Sequence, residues 1–282
     1  MNLQALNLKQ VIFNMENLSK QTITIIGAGN LGLSIINGIV HSGLLNDNKL
    51  IVTNLKLDHL KHLEKEGVVL ETSNKAAVQK ADIVIFCVQP RQLPTIVEEV
   101  KGLTDNKILI STITGAKVGK LEEYFGKNNH IVRAMPNTAI AVKQSMTCLS
   151  SNGDHDGIKV AQQIFSSLGE TIPIEDELMQ AATVLGASGV AFWLRLIRAT
   201  TQGGIQLGFD APEAKKIAVQ TCLGAATLLA ENSDAHPEGE IDRVTTPKGC
   251  TISGLNEMEH EGLSSALIKG IVASFEKINE IR

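Results

Sequence analysis

The sequence has no surplus of positive charge and no long hydrophobic run. Its 26 lysines and arginines are outnumbered by 30 aspartates and glutamates, which gives a formal net charge of −4 and a pI of about 6.0. A nucleic-acid-binding protein is therefore not expected. The apolar runs of the sequence, such as residues 83–88 and the β-branched run 23–26, have the length of strands rather than the roughly 20 residues of a membrane span. We expect a soluble protein with neither a nucleic acid nor a membrane as a partner.

Cysteine is scarce, and the first residues carry no targeting signal. The four cysteines include no Cys-x-x-Cys pair, a pattern that favours reduced thiols in the cytoplasm. The first 20 residues lack a basic start, a long apolar stretch and a small-residue cleavage site, so no signal peptide is expected. We predict a cytoplasmic protein with an N-terminal extension over residues 1–20, in which Met15 is an alternative natural start.

Composition and pattern indicate an α/β fold. Hydrophobic residues make up 43% and charged residues 20%, enough for a sizeable core, and a length of 282 residues favours two domains. Amphipathic stretches such as 31–42 and 57–66 alternate with short β-branched runs at 22–26, 49–53, 83–88, 108–111 and 130–133. Such alternation predicts a Rossmann-type, doubly wound parallel sheet over residues 21–175.

The remaining residues, 176–282, are predicted to form an all-α domain. Helical patterns run over 176–207, 211–231 and 251–281, and a polar loop at 232–248 separates the last two. Helices of this length with apolar residues on several faces cannot all be covered within one small domain. We therefore expect a homodimer that forms through these helices.

A glycine-rich turn follows the first strand and opens the first helix. It reads Gly27-Ala28-Gly29-Asn30-Leu31-Gly32 and matches the G-x-G-x-x-G fingerprint of dinucleotide-binding folds. In that fingerprint Gly27 permits the tight turn, Gly29 lets the backbone approach a pyrophosphate, and Gly32 allows close packing of helix on strand. The helix N-terminus adds amide donors and a positive dipole end. All residues of this turn are therefore predicted to bind a dinucleotide coenzyme.

The end of the second strand lacks the carboxylate that an NAD-type site carries there. The chain has Thr53 and Asn54, which can donate to a 2′-phosphate, and then Lys56, which adds positive charge. We therefore predict NADPH as the coenzyme and leave NADH open. A solvated surface position is the alternative for Lys56.

Later strand ends add further residues to the predicted coenzyme site. In doubly wound sheets, ligands bind in the crevice outside the carboxyl ends of the strands. The residues at such ends that are predicted to face the ribose and nicotinamide are Val88, Gln89, Pro90, Thr112 and Thr114. The histidines and carboxylates at 59–64 and 154–156 have no zinc-like spacing, so no metal site is expected.

Four further segments carry a family resemblance. They read RAMPNT at 133–138, LGASG at 185–189, QTCLGAA at 220–226 and TTPKGCT at 245–251. With the glycine turn, in this order, they resemble the Δ1-pyrroline-5-carboxylate reductase family over nearly the whole chain from Thr22 onward. The resemblance implies reduction of 1-pyrroline-5-carboxylate to L-proline by NAD(P)H, the last step of proline biosynthesis.

The resemblance also implies a substrate site. Thr251 is the implied catalytic residue, and its hydroxyl would bond the imine nitrogen. The amides of Gly249, Cys250 and Thr251 at a helix N-terminus are suited to hold the substrate carboxylate. Ser188 and Asp234 fall at substrate-binding positions. Because a protonated imine is already an electrophile, its reduction needs no strong enzymatic acid.

By the same resemblance, Asn74 falls where the family contacts the coenzyme, and the interlocked C-terminal helices of the family imply a homodimer. A larger ring such as a decamer is left open. Two departures from the family pattern bear on the site: Lys248 replaces a glycine, and Val190 replaces a proline. The first puts the backbone of the substrate loop in question, and the second favours a more continuous helix.

Two other functions stay open at the level of sequence. A β-hydroxyacid dehydrogenase shares the glycine turn but needs a lysine and an asparagine on the long helix, and residues 186–198 contain neither. An imine reductase for another substrate is not excluded. The alternative that is not an enzyme is a catalytically silent NADP(H)-binding regulator. Only the departures from the family pattern at Lys248 and Val190 favour it.

Overall fold

The computed structural model describes residue 18 and residues 20–280. The predicted extension over residues 1–20, with Met15, therefore lies almost entirely outside the described residues. The described chain divides into two compact units. The first runs up to Ser188 and also takes in the chain end from Lys277, and the second comprises Gly189–Glu276. The domain boundary expected near residue 175 precedes this division and stays a prediction.

The first unit is built on a sheet of eight strands. In chain order they are β1 (Thr22–Ile26), β2 (Lys49–Thr53), β3 (Val69–Glu71), β4 (Ile83–Phe86), β5 (Ile108–Ser111), β6 (His130–Met135), β7 (Ser145–Ser151) and β8 (Gly169–Pro173). Their spatial order is β3-β2-β1-β4-β5-β6-β7-β8, and neighbours are parallel except for β6 and β7. The predicted Rossmann-type sheet is confirmed. The carboxyl ends of β1, β2, β4 and β5 share one edge of it.

The other elements of the first unit connect these strands. The α-helices are α1 (Asn30–Ser42), α2 (Asn74–Lys80), α3 (Leu93–Glu99), α4 (Val118–Phe125), α5 (His155–Ser166) and the short α6 (Met179–Ala182). The 3-10 helices are Leu44–Asn46, Asp58–Glu66, Pro90–Gln92, Thr138–Val142 and Asp176–Leu178, and Thr183–Ser188 is a π-helical turn. The stretch 57–66, expected to be an amphipathic helix, therefore takes the tighter 3-10 form over most of its length.

The core explains why the central strands are nearly continuous apolar runs. On one face of the sheet, Ile23 and Ile25 of β1 pack in the same buried cluster as Ile35 of α1. On the other face, Ile26 packs in a second cluster with Phe86 of β4. A parallel sheet covered on both faces buries successive side chains of each strand, so apolar residues do not alternate with polar ones.

The second unit is helical, as predicted, with different boundaries. It contains α7 (Gly189–Gln206), α8 (Ala211–Ala230), α9 (Pro237–Val244), α10 (Cys250–His260) and most of α11 (Leu263–Glu280). The long helix predicted for 251–281 is wrong, because Gly262 takes a positive φ of 80° and separates α10 from α11. The polar loop predicted for 232–248 contains α9, which His236 caps by accepting from the Glu238 amide.

One stretch of the described chain has the length and apolarity of a membrane span. It covers Asp176–Gln206, 31 residues with a mean hydropathy of 1.3 over its most apolar window. This stretch contains no long uninterrupted apolar run, because small and polar residues such as Ser188 and Thr183 interrupt it. Length and composition are weak evidence for a span, since helices of soluble proteins meet the same criteria.

A buried ion pair ties β6 to the segment that follows the sheet. Arg133 is 2% exposed, and its Nη1 lies 2.7 Å from Asp176 Oδ1, which also accepts from Ser150 Oγ at 2.8 Å. The Val118 amide donates to the other oxygen of Asp176 at 3.3 Å. The charge of the buried guanidinium is therefore balanced by the carboxylate, and the carboxylate oxygens accept further hydrogen bonds where solvent is largely excluded.

Candidate active site

The glycine turn forms an open approach to the N-terminus of α1. Gly27 has a φ of 98°, and a Cβ there would lie 2.6 Å from the Cys87 carbonyl oxygen, so both backbone shape and space require glycine. A Cβ on Gly32 would lie 2.2 Å from the Gly27 carbonyl oxygen. Gly29, the N-cap, has no described atom within 4 Å of its Cβ position and no side-chain cap. The first amides of α1 are therefore accessible to an anion such as a pyrophosphate.

A cavity of about 490 Å³ lies at the carboxyl ends of β1, β2 and β4, beside this turn. The predicted coenzyme residues that line it are Gly27, Gly29, Thr53, Asn54, Asn74, Val88 and Gln89. Sequence reasoning missed several others, namely Leu55, Thr72, Arg91, Gln92, Thr95, Ile96 and Glu99. Most of these missed residues belong to the segment from Arg91 through α3, which carries no recognised motif.

A chain of hydrogen bonds crosses the wall of this cavity. Thr53 Oγ1 donates to Asn74 Oδ1 at 2.6 Å, and Asn74 Nδ2 donates to Glu99 Oε2 at 2.7 Å. Thr53 is the last residue of β2, Asn74 opens α2, and Glu99 ends α3. The amide orientation of Asn74 is therefore fixed from both sides, and the donor of Thr53 is engaged within the protein.

The neighbouring predicted residues have different surroundings. Asn54 Oδ1 accepts from the Ala28 amide at 3.4 Å, and its Nδ2 donates to the Lys56 carbonyl oxygen at 2.9 Å. Lys56 is exposed and does not line the cavity. Asn30 begins α1 at the surface, and Leu31 is partly buried against the core. The donors that sequence reasoning assigned to a 2′-phosphate are thus largely used in shaping the loop.

Three of the residues after β4 and β5 that were predicted near the ribose and nicotinamide do not line this cavity, namely Pro90, Thr112 and Thr114. Pro90 is exposed at the start of a 3-10 helix, and Thr114 is half-buried. Thr112 is buried, and its hydroxyl donates to the Phe86 carbonyl oxygen at 3.0 Å.

Burial raises the pKa of the Cys87 thiol to about 12, with a smaller opposing effect of its hydrogen bond to Thr112. Cys87 is therefore protonated at neutral pH and is no nucleophile.

The predicted substrate loop leads into α10. Lys248 has a φ of 60°, so it adopts the left-handed conformation that glycine takes without strain. The Gly249 amide donates to the Thr246 carbonyl oxygen at 2.9 Å and is not available to a ligand. Gly249 is the N-cap of α10 and lacks a side-chain cap, and within the described chain the amides of Cys250 and Thr251 have no acceptor. The expected anion site is reduced to these two amides.

The other predicted substrate residues lie in separate parts of the chain. Ser188 ends the π-helical turn at the close of the first unit, directly before α7. The break in helical geometry thus precedes Val190, where the family has proline. Asp234 is exposed in a turn of the second unit, where its amide donates to Asn232 Oδ1 at 3.2 Å.

Among the described residues, no group of three or more His, Cys, Asp or Glu side chains is placed to hold a metal ion.

Comparison with known families matches both halves of the chain. Residues 176–281 match the family described as pyrroline-5-carboxylate reductase dimerisation, and residues 22–115 match NADP oxidoreductases described as coenzyme F420-dependent. The first match begins where strand signals end and covers all helices of the second unit. The second match covers the glycine turn and the cavity.

Similar proteins span nearly the whole chain. Pyrroline-5-carboxylate reductase 2 of Dictyostelium discoideum is 43% identical, with 92% of each chain covered. Pyrroline-5-carboxylate reductase 1 of the same organism is 46% identical over 90% of this chain, which spans only 49% of that longer protein. The crystal structure of Plasmodium falciparum pyrroline carboxylate reductase with NADP bound has the same fold, with a TM-score of 0.84 and 24% identity over 93% of this chain and 98% of its own. The chain belongs to the pyrroline-5-carboxylate reductase family.

Proposed function

We propose that this protein reduces 1-pyrroline-5-carboxylate to L-proline with NADPH, as the last step of proline biosynthesis. The observation that carries the proposal is the 43% identity to a pyrroline-5-carboxylate reductase over 92% of both chains. The function expected from the sequence is the same. When bound, the reduced nicotinamide supplies a hydride, and the protein supplies binding, orientation and exclusion of water.

The first unit fits such a coenzyme. The accessible amides at the start of α1 suit the pyrophosphate, because a helix N-terminus favours anions. The cavity at the ends of β1, β2 and β4 suits the adenosine, with Asn54 and Asn74 in its wall. Thr112 and Thr114 follow β5 on the same sheet edge and are proposed to lie towards the nicotinamide.

The start of α10 is proposed to hold the substrate. The free amides of Cys250 and Thr251 would bind its carboxylate, and the Thr251 hydroxyl oxygen would accept from the N–H of the protonated ring nitrogen. In the protonated imine, hydride adds to the carbon of the C=N bond, the π electrons move to nitrogen, and the product is a secondary amine that keeps its proton. The chain therefore needs to orient the ring rather than to protonate it, and orientation alone is worth on the order of 7–11 kcal/mol at best.

The protein is proposed to act as a homodimer through its C-terminal helices, with a larger ring such as a decamer as a further step. Several large apolar side chains of the second unit are more than half exposed in the single chain, among them Trp193, Leu194, Leu223, Leu228 and Ile268. Apolar area on this scale favours association. A cytoplasmic location is proposed because all four cysteines are free thiols.

Oxidation of NADPH and NADH in the presence of the cyclic imine from glutamate semialdehyde tests the proposal. We expect loss of nicotinamide absorbance only when the imine is present, with proline as the product. The same preparation without imine and with a linear keto acid serves as the control. Oxidation of NADPH without proline, or no oxidation although NADPH binds, would contradict the proposed reaction.

A further inference from the structure

The coenzyme cavity contains two residues of opposite charge. Of all the residues that line it, Arg91 and Glu99 are those with a formal charge, and each is exposed to solvent. No ion pair joins them within the described chain, and Arg91 has no side-chain partner there. The cavity therefore presents one group that attracts a phosphate and one that repels it.

The position of the Glu99 carboxylate is fixed by the hydrogen-bond chain through Asn74. Glu99 Oε2 accepts from Asn74 Nδ2 at 2.7 Å, while Asn74 Oδ1 is held by Thr53 at the end of β2. That strand end is the place at which dinucleotide folds distinguish a ribose hydroxyl from a 2′-phosphate. The chain lacks a carboxylate on β2 itself, and this hydrogen-bond chain connects one from α3 to the same end.

We infer that Glu99 sets the coenzyme preference of this protein, as an acceptor for the ribose hydroxyls that disfavours the 2′-phosphate. Arg91 opposes it by attracting the phosphate. The inference rests on the proposed binding of NADP(H) in this cavity. With both groups present, the site admits both NADPH and NADH. Removal of the Glu99 charge shifts the preference towards NADPH, and removal of the Arg91 charge shifts it towards NADH.

The experiment compares two fragments that differ in the 2′-phosphate, adenosine 2′,5′-bisphosphate and AMP. Their dissociation constants are measured by titration calorimetry on the full chain, so no turnover is needed. Glu99→Gln keeps an oxygen that accepts from Asn74 but removes the charge. We expect about three- to tenfold tighter binding of the bisphosphate and equal or weaker binding of AMP. Arg91→Gln is expected to weaken the bisphosphate by a similar factor.

Two controls separate charge from structure. Glu98→Gln removes a neighbouring exposed carboxylate that pairs with Lys101 and does not line the cavity, so it is expected to leave both constants unchanged. The effect of Glu99→Gln on the bisphosphate is expected to shrink at high salt, because exposed charges are screened. A merely structural role of Glu99 would change both ligands together and without salt dependence.

The inference is overturned if Glu99→Gln leaves the ratio of the two constants unchanged, or if Glu98→Gln changes that ratio as much. Failure of the proposed reaction gives a different result. In that case the imine is not reduced, but the ratio still responds to Glu99→Gln, because binding of the fragments does not depend on the substrate.

Discussion

Thr251 is the single side chain on which the proposed chemistry depends most. It is the second residue of α10, its side chain is half-buried, and within the described chain its hydroxyl has no hydrogen-bond partner. Capping, the usual use of a threonine near a helix start, is therefore not its role, since Gly249 occupies the N-cap. A free hydroxyl beside two free amides is what binding of a ring nitrogen and a carboxylate requires.

We expect Thr251→Ala to lower kcat by about 10- to 100-fold, because the contact to the ring nitrogen orients the imine. The dissociation constant of NADPH is expected to stay within twofold, which is measured by quenching of protein fluorescence. Thr251→Ser keeps the hydroxyl and serves as the matched variant, with most of the activity retained. Equal activity of the Ala and Ser variants would remove the hydroxyl from the mechanism.

At the same scale, the site was predictable where a motif fixes a backbone shape. Gly27 and Gly29 have the backbone that the fingerprint requires, and Asn74 lines the cavity, while its contact with the coenzyme stays a prediction from the family resemblance. Arg91 and Glu99 were not predictable, because they reach the cavity from the segment after β4 through the packing of α3. Lys248 shows the opposite case. Its side chain departs from the family, yet its φ of 60° lies in the left-handed region that glycine adopts without strain.

Among the elements, the buried parallel strands were the most predictable. β1, β2 and β5 begin and end where the apolar runs do, because both faces of these strands are covered. β7 was missed because its sequence, SMTCLSS, is largely hydroxyl-bearing, although Thr147 and Ser150 are buried. β3 was missed because it has three residues at the sheet edge. Tertiary pairing, rather than local pattern, creates these two strands.

A histidine–aspartate pair joins the start of β6 to the start of α5. His130 Nδ1 lies 3.0 Å from Asp154 Oδ1, which also accepts from the Gly157 amide. The hydrogen bond to Asp154 raises the pKa of His130 above 6.5, although partial burial opposes this. Burial raises the pKa of Asp154, but hydrogen bonds from His130 and Gly157 outweigh it and bring that pKa below 3.8.

The stabilisation by this pair is expected to depend on pH. Because the folded state binds the His130 proton more tightly than the unfolded state, the pair stabilises the fold fully below about pH 6.5. This stabilisation is lost as pH rises through the pKa of His130 in the folded state. It also requires an ionised Asp154, and therefore a pH above about 4. His130→Gln is therefore expected to lower the free energy of unfolding by about 0.5 kcal/mol near pH 5.5 and by less at pH 8 or so. Urea unfolding across this range measures it. Exposed His155→Gln is the control, and parallel profiles of wild type and His130→Gln would contradict the prediction.

At the scale of the whole molecule, the exposed apolar faces of the second unit argue for assembly. On α11, Ile268, Val272 and Phe275 are 61%, 49% and 38% exposed and recur at helical spacing on one face. The match of residues 176–281 to a dimerisation family agrees with association through this unit. The residues that cover this face would come from a second chain. Their positions depend on the assembly and therefore cannot be predicted from the pattern of one sequence.

We expect the wild-type protein to have a mass of at least twice 30.3 kDa in light scattering after size exclusion. Val272→Glu places a charge on the apolar face of α11 and is expected to shift the protein to monomer, with loss of at least tenfold in activity. Ala266→Glu puts the same charge on a different face of the same helix and is expected to leave the mass unchanged. If both variants form the same assembly as the wild type, the apolar face of α11 is not part of the interface.

The ion pair between Arg133 and Asp176 determines where the protein can be divided for separate expression of its nucleotide-binding half. A fragment that stops at residue 175 keeps a guanidinium that is 2% exposed but removes its carboxylate. An unpaired buried charge of this kind costs on the order of 3–5 kcal/mol, which is comparable to the whole stability of a small domain. A truncated nucleotide-binding fragment therefore has to extend past Asp176, even though the last strand of its sheet ends at Pro173.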